Sequence, residues 1–206
     1  MPDDINIIDD GLIIPDVGLW SLKKYELVKN YARIFSTSMK NKWDCRVYID
    51  LYAGAGYSKI RDNSKIVQAS PLLAIDIPDR FDKYIFCEID KEKIEALKVR
   101  VERDFKDINA SYINLDANGS VDNVLNLIPA HSKSFKVLCF CFVDVYKASD
   151  FNFKTIKRLS QKYMDFLILI PTNMDILRNE KNYTEEDSIV IPNWALDFNY
   201  GNQFIN

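Results

Sequence analysis

Most of the signals that would give this chain a ready function are missing. Its 206 residues hold one histidine, His131, which falls in a polar stretch after Pro129 and reads as an exposed loop residue rather than a base. Four cysteines show no Cys-x-x-Cys spacing, and no other metal-ligand spacing is present. Cys45, Cys87, Cys139 and Cys141 lie in or beside apolar, strand-like runs, and the last two would share one face of a strand, a poor arrangement for a disulfide. Buried reduced thiols account for them better than zinc. No apolar run approaches a membrane span, and the acidic N-terminus lacks a signal-type apolar core, so the cytoplasm is the default address. Neither Gly-Lys-Ser/Thr nor Gly-x-Gly-x-x-Gly occurs, because position 59 is Lys; this disfavours a nucleoside triphosphate or NAD. A formal charge of −3 gives no global reason to expect nucleic acid.

What is present fits one globular domain: 48% hydrophobic and 28% charged residues, with length for one sizeable core. Residues 1–19 carry five Asp and no base and read as an irregular acidic arm; residues 20–206 read as a single domain. Lys23, Lys24, Lys29, Arg33, Lys40, Lys42 and Arg46, against Glu26 and Asp44, form a basic stripe that could follow the phosphates of a nucleic acid. A solvated helix face is the alternative.

The spacing of Leu22, Tyr25, Val28, Tyr31, Ala32 and Phe35 predicts a helix over 21–39 with Ser21 as its N-cap, lying across the sheet or over its ligand edge. A strand follows over 46–52, then a polar, lysine-rich loop over 57–68. Ser70-Pro71 starts a short helix. Strands are predicted over 83–87, 110–115, 135–143 and 165–170. Helices fall at 90–105, where Asp90 is the cap, after 120 up to Pro129, and at 152–162. The unbroken apolar run before Asp144 predicts a central strand covered on both faces. Five alternations of strand and helix specify an α/β fold with an open, mostly parallel sheet. After Ile170 the pattern fades: Thr172–Leu177 begins another helix, and Trp194, Phe198, Tyr200 and Phe204 are aromatic without period. The C-terminal part reads as short for this architecture.

Parallel strands deliver their C-terminal residues to one edge, where ligands bind. Delivered here are Asp50, Glu88, Asp116 and Asp144. Each alone could be a turn or helix-start residue; together they favour a shared ligand. Tyr52-Ala53-Gly54-Ala55-Gly56 follows the first strand, and its two glycines would let backbone pass close to that ligand. Glu88, beside Ile89, can accept both hydroxyls of a ribose. Asp116 can accept from an adenine amine, with Ala117 offering a backbone donor, and Asp50 can reach a methionine amino group. The set suits S-adenosyl-L-methionine (SAM), a cationic nucleoside without phosphates, and methyl transfer from it needs no metal. Asp144 could hold an acceptor amine while Tyr146 stacks on a planar ring; a loop cap and a packing residue are the plainer reading. Trp20 covers the pocket or anchors the core.

Trp20 through Tyr31, Tyr48–Gly56, Ala69–Ala74, Cys87–Asp90, Leu115–Asn118 and Phe142–Tyr146 resemble, in order and spacing, the three-Cys-motif partner proteins. Those are class I SAM-dependent methyltransferases with a Rossmann-like, three-layer α/β/α sandwich. The resemblance implies a SAM pocket from Asp50, Gly54, Gly56, Glu88 and Asp116, and work beside a separate partner protein. Asp144-Val145-Tyr146 is also similar to the Asp-Pro-Pro-Tyr signature of amino-methylating DNA and RNA enzymes. The family pattern at this strand end is Asp-Pro-Tyr-Gly, whereas Val145 and Lys147 stand here. Residues 171–206 are too few for the further strands and substrate-recognition elements of the family, which implies a fragment or a reduced member. An amine methyltransferase is the first reading, and an inactive SAM-binding interaction subunit the second.

Overall fold

Cys45-Arg46-Val47-Tyr48-Ile49-Asp50 has no polar face, and all six residues are buried. A strand of this kind has to be covered on both sides, so it takes the middle of a sheet. The computed structural model describes residues 7–170. In chain order its elements are β1 (Asp16–Val17), α1 (Trp20–Met39), β2 (Cys45–Asp50), β3 (Tyr57–Ile60), β4 (Ile66–Gln68), α2 (Ser70–Ile75), β5 (Lys83–Cys87), α3 (Lys91–Asp104), β6 (Ala110–Ile113), α4 (Val121–Leu127), β7 (Val137–Asp144), α5 (Phe153–Leu159) and β8 (Met164–Leu169). The helix expected at Thr172–Leu177 and the late aromatic stretch lie outside the described residues.

The main sheet has the order β6-β5-β2-β7-β8, and every pairing in it is parallel. Its strand order reverses at β2, with β5 on one side and β7 on the other, which makes the β2/β7 edge the topological switch point.

Alternation along the strands divides the core by side-chain type. Tyr48, Tyr84, Phe86, Phe140 and Phe142 point to one face, where they meet Val28, Ala32 and Phe35 of α1, Leu72 and Ile75 of α2, and Ile94, Leu97 and Val101 of α3. Val47, Ile49, Ile85, Cys139, Cys141 and Val143 point to the other, against Val121 and Val124 of α4 and Leu159 of α5. Helices cover both faces, giving three layers. Tyr48 lies at the centre of the aromatic side, with ring centroids 5.5 Å from Phe81, 5.6 Å from Phe140 and 6.0 Å from Tyr84. Such pairs add about 0.5–1.5 kcal/mol each beyond the area they bury.

Three local expectations are corrected. Residues 57–68 are a β-hairpin rather than a loop: β3 and β4 pair antiparallel, turning through Ser64 at φ 58°. Lysines at 59 and 65 mask a strand that buries Tyr57, Ser58 and Ile60. The arm is not irregular throughout, because Asp16 and Val17 pair in parallel with Lys59 and Ile60, making a second, three-stranded sheet. Ser21 does not cap α1. The helix starts one residue earlier, its N-cap is Leu19, and Ser21 is buried in the first turn. By contrast Asp90 caps α3 as expected, accepting from the N–H groups of Glu92 and Lys93 at 3.0 and 3.3 Å.

Candidate functional site at the carboxyl edge of the sheet

Register sets the site. Asp50 pairs with Phe86 on β5 and with Phe142 on β7, so Glu88 and Asp144 follow two residues beyond it on either side. The two-residue period keeps Asp50 and Asp144 on the aromatic face, beneath α1.

Asp50 is fully buried. Burial pushes its carboxyl up to about 7, against hydrogen bonds from the Ser70 hydroxyl and the Tyr52 N–H that pull it down, while the charge of Asp144 adds to the rise. The Tyr52 N–H donates to Oδ1 at 3.0 Å and the Tyr48 hydroxyl to Oδ2 at 3.3 Å. Tyr52 itself turns toward Phe151, with ring centroids 6.4 Å apart. Its hydroxyl is buried and has no hydrogen-bond partner among the described residues. Burial, then the charges of Asp150, Asp116, Asp144 and Glu88, push this phenol well up. One hydroxyl therefore senses three of the four strand-end carboxylates, and Asp50 senses the third of these, Asp144.

The two glycines do different work. Gly54 sits at φ +62°, and a Cβ there would meet nothing within 4 Å; its N–H donates to Glu88 Oε2 at 2.9 Å. Gly56, at φ +84°, is occluded instead: a Cβ would stand 2.9 Å from Leu97 Cδ1 and 3.2 Å from Leu72. Close approach to a ligand is available at Gly54, whereas Gly56 is required by helix packing, contrary to expectation. Ala53 is buried and its N–H holds the Cys87 carbonyl at 2.9 Å, which ties the loop to β5.

Glu88 is half-buried, with Oε1 accepting from the Asp90 N–H at 3.0 Å. Each oxygen thus holds one amide, and an ionised carboxylate has further acceptor capacity. Ile89 beside it is 69% exposed. Asp116 is exposed, and its Oδ1 accepts from the N–H groups of Asn118 and Gly119 at 2.9 and 3.0 Å, closing the turn before α4. It therefore has the turn role described for such residues, with Ala117 buried behind it.

Asp144 does not stand alone. The Lys24 ammonium of α1 forms an ion pair with its Oδ2 and also lies 4.0 Å from the Trp20 ring. These groups line a cleft of about 110 Å³ together with Val145, Tyr146 and Leu169. Trp20 is 44% exposed and is a cleft wall, not a core anchor; Tyr146 is 73% exposed and free to meet a planar partner. Sequence reasoning placed Lys24 only in the basic stripe. The spacing of Trp20 and Lys24, one turn apart on a helix, was the available signal.

The stripe is broken up by the fold. Arg46 is buried, donating from Nε to Asp82 at 3.1 Å and from Nη1 to Ser36 at 2.9 Å, so it cannot serve a phosphate. Lys40 pairs with Asp79 at 2.7 Å. Lys23, Arg33 and Lys42 are exposed, and Lys29 is half-buried.

No protein-family model matches the sequence, and neither does any curated protein. Among solved structures, protein LPL1258 of Legionella pneumophila superposes with a TM-score of 0.50 at 13% identity, over 69% of this chain and 66% of that one. The likeness is one of fold. It is an α/β fold of Rossmann-like kind, and the chain spans just under two thirds of the Legionella protein. Weaker matches are the putative methyltransferase yhhF of Escherichia coli (TM-score 0.41, 16% identity, 70% and 75% of the two chains) and a conserved hypothetical protein of Streptococcus pyogenes (0.37, 15%, 69% and 81%). Among the described residues no helix is long and apolar enough to cross a membrane.

Proposed function

We propose that the carboxyl edge of the sheet binds SAM and that the chain directs methyl transfer to an amine. The observation that carries this reading is the buried Tyr52 hydroxyl at the switch point, which has no hydrogen-bond partner among the described residues and whose pKa is raised by burial and by the charges of Asp150, Asp116, Asp144 and Glu88. A buried donor without a partner is costly, and a site that leaves one points to a polar ligand that completes it. When bound, SAM supplies an electrophilic methyl group on a sulfonium.

The chain's own residues divide the remaining work. Glu88 has acceptor capacity left for ribose hydroxyls while anchoring Gly54, whose open surroundings admit a ligand. Asp116, exposed and turn-bound, lies within reach of an amine on an adenine ring, and Asp50 offers a carboxylate that a ligand ammonium would keep ionised. Asp144 accepts a hydrogen bond from the acceptor amine, which orients the nitrogen lone pair; α1 covers the edge and limits water. The resemblance to three-Cys-motif partner proteins supports a separate partner protein. Exposed Lys23, Arg33 and Lys42 remain as the part of the stripe open to nucleic acid.

A second reading is favoured by the Lys24–Asp144 pair: with its acceptor carboxylate neutralised, the chain would be a SAM-binding subunit without turnover. Calorimetric titration with SAM, its demethylated product, ATP and NAD separates cofactor classes, with SAM or its product binding at least tenfold more tightly than the others. Glu88→Ala should weaken SAM at least a hundredfold; unchanged affinity refutes the ribose assignment. Wild-type protein that binds SAM but methylates no amine supports the second reading.

A further inference from the structure

The Lys24 ammonium rests where the proposed function puts the acceptor nitrogen. Its surroundings are specific for positive charge: a carboxylate directly beneath, and the Trp20 ring 4.0 Å away. The cleft of about 110 Å³ has room for a few heavy atoms beside Val145, Tyr146 and Leu169. Both partners are mostly withdrawn from water, the Lys24 and Asp144 side chains being 19% and 24% exposed. Without the lysine, Asp144 would be a half-desolvated charge lacking a counter-ion, and that drives capture of another cation.

We infer that the Trp20–Asp144–Tyr146 cleft is a recognition site for an alkylammonium head, and that Lys24 is its internal occupant. An acceptor enters by displacing Lys24, so the pair acts as a built-in competitor. The inference deepens the methyl-transfer reading by naming the acceptor class: a primary aliphatic amine, such as a lysine side chain of a polypeptide, captured as its ammonium. The ammonium passes one proton to the Asp144 carboxylate before the freed nitrogen lone pair takes the methyl group and the methyl–sulfur bond breaks to leave a neutral thioether. The neutral exocyclic amine of a nucleic-acid base would gain less from the carboxylate and the ring face than a full positive charge does.

The test needs no SAM, so failure of SAM binding and failure of this site are separate results. Lys24→Ala and Lys24→Met are titrated with n-butylammonium by calorimetry, with adenosine and cytidine as neutral-amine controls. Lys24→Met keeps most of the apolar stem should the alanine variant unfold. Both variants are expected to bind n-butylammonium at least tenfold more tightly than wild type. Adding Asp144→Asn should remove that gain, and the nucleosides should bind more weakly than the cation. Equal affinity in wild type and variants, or a gain that survives Asp144→Asn, overturns the site. Preference for adenosine or cytidine overturns the acceptor class in favour of a base.

Discussion

Asp50 shows how one residue carries the tension between burial and chemistry. Its carboxyl is held by three donors, from Ser70, Tyr52 and Tyr48, yet burial outweighs them and raises its pKa to about 7. The folded state therefore binds the proton more tightly than the unfolded chain does. The sign follows: full stability from this group is present below the unfolded pKa near 4, and it is lost as pH rises toward 7. The ceiling is roughly 4 kcal/mol, from about 1.4 kcal/mol per pKa unit. Urea unfolding at pH 5 and pH 8 should show wild type more stable at pH 5, with Asp50→Asn removing most of that difference. A variant with the same pH slope as wild type would assign the effect elsewhere. That Asp50 ends a strand was legible from the apolar run before it. Its proton affinity was not, because that depends on α1 and α2 closing over it from distant parts of the chain.

At the scale of elements, α3 does more than cover the sheet. Arg100 is fully buried; its Nη1 donates to the carbonyls of Ala55 at 2.6 Å and Ile13 at 3.1 Å, while Nε and Nη2 hold Asp10 at 2.9 and 2.6 Å. The guanidinium also lies 4.4 Å from the Tyr57 ring. One side chain thus joins the acidic arm, the glycine loop and the hairpin. Arg100→Ala leaves Asp10 half-buried without its main partner, and a loss of about 3–5 kcal/mol is expected. Denaturant melts measure that loss, and limited proteolysis should show faster cleavage within residues 7–15; an arm still protected would show that β1 alone holds it. The helical period of α3 was readable from Ile94, Leu97 and Val101. The role of Arg100 was hidden, since a mid-helix arginine looks like solvated surface until the arm crosses it.

Gly56→Ala adds a Cβ against Leu97 and Leu72 at a left-handed φ, whereas Gly54→Ala meets only the backbone penalty. The first substitution should cost about 2–4 kcal/mol and the second about 1, read from urea midpoints. Equal costs would mean that α2 and α3 yield to the added methyl.

For the molecule as a whole, strand order follows from rules with almost no freedom. Parallel strands joined by helices cross over right-handedly, and the most apolar segments, β2 and β7, take the centre. That part of the fold was legible because its signal is repeated five times along the chain. The hairpin and β1 were not, since Lys59 and Lys65 give the hairpin a polar look and β1 is only two residues long. Hydrogen exchange should follow the same division. Amides of β2, β5 and β7 are expected to exchange only by global unfolding, and those of β3 and β4 by local opening at least a hundredfold sooner. Uniform exchange across both sheets would contradict the separation.

The division of the core into an aromatic side and a side bearing thiols has a practical use. Cys45, Cys87, Cys139 and Cys141 are all buried, and burial raises every one of their pKa values, Cys87 and Cys139 to about 12. Alkylating reagents attack thiolates, so the native protein should stay unlabelled while each opened molecule is tagged on up to four sulfurs. Mass shifts counted after a timed pulse of iodoacetamide would then serve as a stopwatch for how often this α/β layer comes apart.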